Sequence, residues 1–193
     1  FVRELISNSS DAMEKMRHES LTKEKVFDAH VPLEISLDLD EKKHTMTITD
    51  TGIGMNREEL EKNLGTIAHS GSGNFVAELA EAAKKDVSLI GQFGVGFYSS
   101  FIVADKVTLT TRRAGLGAEH GVRWESAGEG EYSLETIEKA THGTEIVLHL
   151  RENEDEFLDN MRLRNIIRKY SDHITLPIMM EKEFFGEEKD KPE

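Results

Sequence analysis

The order of predicted strands along the chain is the feature that most constrains its fold. Strand patterns dominate the stretch after residue 106, with no helical pattern between them: Val107–Arg112, Val122–Glu125, Tyr132–Leu134 and Glu145–Leu150. An earlier pair, Leu33–Leu39 and Thr45–Thr49, alternates apolar and polar residues and is joined by a turn at Lys42 and Lys43. This clustering disfavours a regular strand–helix–strand repeat. We therefore expect an α+β fold, a two-layer sandwich whose mixed, mostly antiparallel sheet is covered by helices.

The first predicted helix, over residues 1–24, has two contrasting faces. One face is expected to be buried and holds Val2, Leu5, Ile6, Ser9, Met13 and Met16. The opposite side carries a polar stripe of Glu4, Asn8, Asp11 and Lys15. Such a stripe is by itself typical of a solvated face. Asn, however, is a poor residue for a helix interior, so Asn8 indicates a function.

Other elements are predicted from local signals. Helices are expected at Arg57–Leu64 with Asn56 as N-cap, at Phe75–Lys85, Phe97–Val103, Asp155–Asp159 and Met161–Ile174, and a last strand at Ile178–Glu183. Trp124 is interpreted as a core or sheet-face residue. Residues 1–180 are expected to form the domain. Residues 181–193 are interpreted as the end of the last strand and the start of a charged linker in a longer polypeptide.

Composition limits the classes of protein to which this chain can belong. The 193 residues, 37% hydrophobic and 32% charged, are typical of one globular domain. The sequence contains no cysteine, which excludes disulfides and zinc–thiolate sites. No apolar run approaches the roughly 18 residues of a membrane-spanning helix. A net charge of −13 argues against a nucleic-acid surface but not against a bound nucleotide.

Two glycine-containing motifs can serve a nucleotide. DTGIGM at 50–55 follows a strand, where an Asp among glycines can accept the amino group of adenine, although a simple turn is an equal alternative. GQFGVGF at 91–97 opens a helix, whose free N–H groups can bind phosphate. Ser99 stands where a dinucleotide fingerprint needs its third glycine, and the sequence has no Walker loop. With Glu4 and Asn8 one helical turn apart to hold a water and a metal, the motifs together predict a pocket for ATP.

These motifs, in this order, resemble the N-terminal ATP-binding domain of the ninety-kilodalton heat-shock chaperone family, in its bacterial form, the high-temperature protein G type. The segments that carry the resemblance are FVRELISNSSDA at 1–12, DTGIGM at 50–55, NLGTIAHSG at 63–71, GQFGVGFYSSFIVADKV at 91–107, WESAGEGEY at 124–132 and HGTEIVLHL at 142–150. Gyrase-type topoisomerases, sensor histidine kinases and mismatch-repair proteins belong to the same superfamily but share only the Asn and Asp-x-Gly-x-Gly elements. The resemblance implies the ATPase fold of that superfamily, without the strand and helix start that precede Phe1 in the family.

By that resemblance, five residues have defined roles in binding ATP or ADP with Mg²⁺. Glu4 is the general base that orients the attacking water, and Asn8 holds the magnesium ion. Asp50 binds the adenine amino group, with Gly54 and Thr144 near a water that the base shares.

The resemblance also implies contacts along the rest of the nucleotide. They are Ala12, Met55 and Phe97 at the base and sugar, Asn63 on the sugar–phosphate side, and Ser70, Gly71, Gln92, Phe93, Gly94, Val95 and Gly96 at the phosphates. Residues from about 65 to 95 are similar to the family's lid over ATP. Within that lid, His69 stands where the family has a Lys that contacts phosphate, so we expect His69 either to face the phosphates as well or, as an equal alternative, to point to solvent.

The function implied is that of a cytoplasmic ATPase that drives the conformational cycle of a stress-response chaperone. Such a chaperone binds unfolded client proteins and forms a homodimer, with neither nucleic acid nor membrane as partner. The arginine that reaches the γ-phosphate in this family comes from the following domain, so this domain alone is expected to bind ATP and turn it over slowly. The residues leave three alternatives: a histidine-kinase-type domain, a topoisomerase-type domain, which the negative charge opposes, and a nucleotide sensor without hydrolysis.

Overall fold

A seven-stranded sheet forms one layer of the protein in the computed structural model, which describes residues 1–22, 31–65 and 95–181. The strands are β1 (Ile35–Asp40), β2 (Thr45–Asp50), β3 (Ala104–Arg112), β4 (Gly121–Ser126), β5 (Tyr132–Ile137), β6 (Gly143–Leu150) and β7 (Ile178–Met180). Their order in the sheet is β5-β4-β3-β6-β2-β1-β7. Neighbouring strands are antiparallel, except that β7 is parallel to β1. The predicted mixed, mostly antiparallel sheet is confirmed.

The hairpin expected at Lys42 and Lys43 joins β1 to β2. Asp40 pairs with Thr45 across it, and His44 takes a left-handed φ of 56° inside the turn. In the sheet, β2 lies between β1 and β6. Its last residue, Asp50, is therefore flanked by a strand on each side, a position from which solvent is largely excluded.

Helices form the second layer. They are α1 (Val2–Thr22), α2 (Arg57–Leu60), α3 (Val95–Tyr98) and α4 (Asn160–Tyr170), with a π-helical turn at Glu61–Gly65 and 3₁₀ turns at Ser99–Ile102, Ala118–His120 and Asp155–Leu158. No helix within the described residues has the length and apolar character needed to cross a membrane.

The predicted helix at 57–64 differs from the structure in its second half. It is α-helical only to Leu60 and continues as the π-helical turn. Its predicted N-cap is confirmed, because the Asn56 side chain accepts the Glu59 N–H at 2.9 Å while the Glu59 carboxylate accepts the Asn56 N–H at 2.9 Å. This reciprocal pair satisfies two donors that a helix start leaves open.

Two later helices also differ from their predicted bounds. The helix expected at 97–103 begins earlier, at Val95, and tightens into 3₁₀ geometry from Ser99. The helix expected to reach Ile174 ends at Tyr170, because Ser171 leaves the helical conformation with φ −127° and ψ 20°. The segment predicted as strand at 178–183 is strand for Ile178–Met180.

Some predictions concern parts of the chain outside the described residues. They are the last two residues of the helix at 1–24, the helix at 75–85, nearly all of the lid expected from about 65 to 95, and the segment after residue 181.

The core lies between α1 and the sheet. The face of α1 predicted to be buried is buried without exception, at Val2, Leu5, Ile6, Ser9, Met13 and Met16. This face packs on β2, and α1 also contacts α3 and α4. Trp124 is 1% exposed, lies edge-on to Phe97 at 5.5 Å between ring centroids and stacks on Tyr132 at 6.2 Å, which confirms it as a core residue.

Candidate functional site

Three neighbouring strands bring polar side chains together at one edge of the core. Asp50 at the end of β2 pairs with Thr144 in β6, and Thr144 pairs in turn with Thr111 in β3. The exposed fractions of these residues are 5%, 7% and 0%. Buried polar groups are costly unless they are hydrogen-bonded, so this row of three indicates a built polar site.

Asp50 is a buried carboxylate held by three donors. Its Oδ1 accepts the Gly52 N–H at 2.9 Å, and its carboxyl group also accepts the Ser9 hydroxyl and the Thr144 backbone N–H. Burial raises the pKa of Asp50 from 3.8 to about 6, while these hydrogen bonds and the charge of Lys139 favour the ionised form. At neutral pH Asp50 is therefore mainly a carboxylate with capacity for a further donor.

The Thr111 hydroxyl connects the strands to the motif that follows Asp50. It lies 3.0 Å from the Met55 N–H, 3.1 Å from the Gly143 carbonyl oxygen and 2.9 Å from the Thr144 hydroxyl. All these groups are satisfied when Thr111 donates to Gly143 and accepts from Met55 and Thr144. In that arrangement Thr144 retains its oxygen lone pairs for another donor.

Two glycines of the site have backbones and surroundings that admit no side chain. Gly54 has φ +65°, and a Cβ there would strike the carbonyl oxygen of Arg112. Gly143 has φ +99°, and a Cβ there would strike the carbonyl oxygen of Asp50. Both therefore allow backbones to approach more closely than any other residue type would permit.

The loop after Asp50 is bonded along its length. The Thr51 N–H donates to Glu34 at 3.2 Å, the Ile53 N–H to the Ala12 carbonyl at 3.0 Å, and the Ile53 carbonyl accepts the Ala114 N–H at 2.8 Å. The Gly52 carbonyl lies 2.7 Å from Nδ1 of His142. The loop is thus fixed to α1, to the residues after β3 and to the residues before β6.

One row of α1 residues spans the site: Glu4, Asn8 and Ala12, which we call the α1 row. Ala12 lies at the Asp50 loop, since a Cβ on Gly52 would come within 2.7 Å of its side chain. Glu4 lies at the other motif, since a Cβ on Gly96 would come within 2.5 Å of its carboxylate oxygen. These positions are one helical turn apart in succession, so the row covers about 12 Å along the helix axis. The Asp50 loop and Gly96 therefore lie along one side of α1.

The expected magnesium ligand, Asn8, is partly buried in the middle of the α1 row. No cluster of three or more His, Asp or Glu suited to a metal occurs within residues 1–22, 31–65 and 95–181. A single amide oxygen nevertheless fits Mg²⁺, which keeps several waters and usually takes its other ligands from nucleotide phosphates.

The other predicted nucleotide contacts have varied placements. Met55 is partly buried and accepts the Asn63 side-chain N–H at its sulfur, 3.5 Å away. Phe97 is 4% exposed within the aromatic core, so little of its ring is open to solvent beside the site. The contacts outside the described residues are His69, Ser70, Gly71, Gln92, Phe93 and Gly94, and of Val95 only the backbone is described.

Sequence reasoning missed three residues of the site: Ser9, Thr111 and His142. Ser9 had a signal, because it is a polar residue on an otherwise apolar helix face. Thr111 and His142 lacked one, since threonine is ordinary in strands and a single histidine between Thr141 and Gly143 has no distinctive spacing.

The chain was compared with known proteins. Residues 1–156 match the family described as "Histidine kinase-, DNA gyrase B-, and HSP90-like ATPase". The curated relatives include "Chaperone protein HtpG" of Nitrosomonas eutropha, 61% identical over 188 residues, which are 97% of this chain and 29% of the relative. The protein of the same name from Nitrosospira multiformis is 60% identical over 99% of this chain and 30% of its own length. That of Coxiella burnetii is 59% identical over 94% of this chain and 29% of its own length.

The chain thus spans about 30% of the length of the curated relatives that it matches. The resemblance found in the sequence motifs is confirmed by these matches. The fold agrees with them, since helices cover one mixed sheet whose central strands carry the polar site. The chain belongs to the family of histidine kinase-, DNA gyrase B- and HSP90-like ATPases.

Proposed function

We propose that this chain binds ATP and ADP with Mg²⁺ and hydrolyses ATP, and that in the whole protein this drives the conformational cycle of a molecular chaperone. One observation carries the proposal. Asp50 is a buried carboxylate, largely ionised at neutral pH, at the end of an interior strand and beside three glycines and the α1 row.

Asp50 is the proposed reader of the base. Its carboxylate accepts the exocyclic amino group of adenine, while Gly52 and Gly54 leave the ring edge clear of side chains. The Thr144 hydroxyl, paired with Thr111 at 2.9 Å, is placed to support a water near the same edge. Guanine carries a carbonyl where adenine carries its amino group, so its oxygen would face a negative charge.

Glu4 and Asn8 are the proposed residues for hydrolysis. Glu4 orients and deprotonates the attacking water, and Asn8 contributes an oxygen to the metal ion. When bound, Mg²⁺ neutralises part of the phosphate charge. Gly96 lies against Glu4 without a side chain between them, so the backbone at Gly96 approaches the proposed general base closely. We propose that an arginine from a following domain completes the site, which makes this domain by itself a slow ATPase.

The cellular role rests on the relatives. Proteins that are 59–62% identical to this chain are named chaperones. Their names support a chaperone role for the whole protein, with client proteins and a homodimer partner in the cytoplasm. They favour this role over phosphotransfer to a receiver protein and over action on DNA. The net charge of −13 also opposes action on DNA.

Calorimetric titration of the chain with Mg·ADP, Mg·ATP, Mg·GDP and NAD tests the binding proposal. Both adenine mononucleotides are expected to bind, with Mg·GDP weaker by about tenfold or more because one hydrogen bond is replaced by a repulsive contact. Equal affinities for Mg·ADP and Mg·GDP would contradict the role of Asp50. No binding of either adenine mononucleotide would contradict the proposed function itself.

A further inference from the structure

The peptide unit between Gly52 and Ile53 is held at both of its polar ends. Its carbonyl oxygen lies 2.7 Å from His142 Nδ1, and its N–H donates to the Ala12 carbonyl at 3.0 Å. Gly52 and Ile53 are both buried. The orientation of this peptide plane is therefore set by one contact from α1 and one from the histidine.

The hydrogen bond defines the protonation of the His142 ring. A carbonyl oxygen can only accept, so Nδ1 must carry the proton. The other ring nitrogen, Nε2, is buried without a hydrogen-bond partner among the described residues, and His142 as a whole is 3% exposed. The ring is therefore a donor directed from Nδ1 at one backbone carbonyl.

The segment 142–144 contacts the segment 50–52 at every residue. The His142 ring bonds to the Gly52 carbonyl, the Gly143 backbone lies against the Asp50 carbonyl, and the Thr144 N–H donates to the Asp50 carboxyl group. Gly52 in turn donates its own N–H to Asp50 Oδ1 at 2.9 Å. His142 is thus linked through a single residue, Gly52, to the carboxylate that is proposed to bind the adenine amino group.

We infer that His142 is a positioning residue of the nucleotide site. By holding the Gly52 carbonyl it fixes the backbone at Gly52, whose N–H donates to Asp50 Oδ1, and so keeps the carboxylate in place for the adenine amino group. His142 does not touch the nucleotide itself. This inference rests on the proposed nucleotide function, since it assigns a residue to the same site.

Replacing His142 by Asn and by Leu distinguishes the effect of its hydrogen bond from the effect of its side-chain volume. The side-chain nitrogen of Asn lies the same number of bonds from the backbone as Nδ1, so His142→Asn can restore the donor. His142→Leu removes it and leaves the Gly52 carbonyl buried and unpaired. Calorimetry with Mg·ADP is expected to show a loss of about tenfold or more for Leu and less than about threefold for Asn.

His149→Leu is a matched control on the strand that follows. His149 is partly buried on β6, and its Nε2 lies 3.4 Å from the Thr108 hydroxyl, away from Asp50 in the register. This variant is expected to bind Mg·ADP like the wild type. Thermal unfolding of each variant without nucleotide measures any general loss of stability. If His142 had a merely structural role, His142→Leu would lower stability and His142→Asn would not restore the affinity for Mg·ADP.

The outcomes distinguish this inference from the proposed function. If wild type binds Mg·ADP and His142→Leu binds it equally well, the inference is wrong. If Asn and Leu lose affinity to the same extent, the hydrogen bond is not the cause and the inference is again wrong. If wild type binds no adenine nucleotide, the proposed function fails, and the inference with it.

A measurement on the wild type covers the case in which His142→Leu does not fold. Nitrogen-15 NMR of the histidine rings distinguishes a protonated nitrogen from an unprotonated one. His142 is expected to show a protonated Nδ1, with ring signals that move when Mg·ADP binds. A folded protein in which Nδ1 carries no proton, or in which Mg·ADP leaves the His142 signals unchanged, would overturn the inference.

Discussion

The proposed site has two parts, one around Asp50 at the end of β2 and one around Glu4 and Asn8 on α1, and the protein holds the first more tightly than the second. At the strand end, Asp50 is 5% exposed, and a Cβ added at Gly52 or Gly143 would strike Asp50 itself. At the helix end, Glu4 and Asn8 are only partly buried on one face of α1. The sheet therefore fixes the proposed base-reading group, whereas the proposed groups for hydrolysis stand on a helix surface that water can reach.

This difference suits the two tasks proposed for the site. Recognition of a flat base benefits from a preorganised acceptor in a dry environment, where a hydrogen bond is strong and a wrong partner is costly. Hydrolysis needs a water molecule and a metal ion to enter and leave. Binding and turnover should consequently be separable by mutation, and the predictions below test that separation from the largest expected effect to the smallest.

Loss of Glu4 should affect turnover alone. In the full-length parent, we expect Glu4→Ala to lower the rate of ATP hydrolysis by about 10²–10⁴-fold with ATP affinity kept, because only proton transfer to the general base is lost. Asn8→Ala should instead weaken binding that depends on magnesium. Steady-state ATPase assays and calorimetry measure both. Wild-type turnover in Glu4→Ala would show that the general base lies elsewhere.

Gly54→Ala should disrupt the strand end as a whole. An alanine there needs a φ of +65° and meets the Arg112 carbonyl oxygen, so we expect a loss of about 3 kcal/mol or more in the free energy of unfolding. Gly115→Ala is the matched control. Gly115 has φ +88° with nothing within 4 Å of an added Cβ, so its cost should be only about 1 kcal/mol. Equal urea-unfolding curves for the two variants would mean that the close approach at Gly54 has no energetic weight.

Asp50→Asn should remove recognition without unfolding the protein. The amide is nearly the same size as the carboxylate but can present an N–H where the adenine amino group needs an acceptor. We expect Mg·ADP affinity to fall by about 2–3 kcal/mol, which is about 30- to 150-fold. Circular dichroism would verify that the fold is retained. Unchanged Mg·ADP affinity in a folded Asp50→Asn variant would refute the assignment of Asp50 to adenine.

The titration of Asp50 gives the smallest predicted effect. Its pKa is raised from 3.8 to about 6 by burial, so between these values the folded state binds more protons than the unfolded state. The stability contributed by this group is therefore present at low pH and lost as pH rises through 6. Between pH 5 and 7 we expect a loss of about 1 kcal/mol without nucleotide.

Urea unfolding of wild type and Asp50→Asn at several pH values measures this contribution. The wild-type curve should fall relative to that of the variant as pH rises from 5 to 7, because the amide does not titrate. If the difference in free energy of unfolding between the two proteins stays constant over this range, burial does not raise the pKa of Asp50.

The sequence by itself determined the local features of this protein. The helical spacing of Val2, Leu5, Ile6, Ser9 and Met13 predicted the buried face of α1, and the turn at Lys42 and Lys43 predicted the hairpin. The helix N-cap at Asn56 was predicted from its residue type at the start of the helix. The hairpin and the N-cap depend on interactions between residues close in sequence. The buried face of α1 follows from the regular spacing of apolar residues in a helix that is buried on one side.

The site was predicted in outline because its motifs are short and contiguous. Glu4, Asn8, Asp50 and the glycines were singled out from their types and spacing. Their predicted meeting in one pocket agrees with the positions of Gly52 beside Ala12 and of Gly96 beside Glu4. The individual roles of these residues remain predictions.

Only the tertiary structure decided the remaining features. The order of the strands and the parallel pairing of β7 with β1 depend on contacts between distant parts of the chain. The same holds for His142, whose partner Gly52 lies 90 positions away. No local pattern records such a pair, because the free energy that selects it comes from satisfying a buried carbonyl whose burial exists only once the sheet and α1 have packed together.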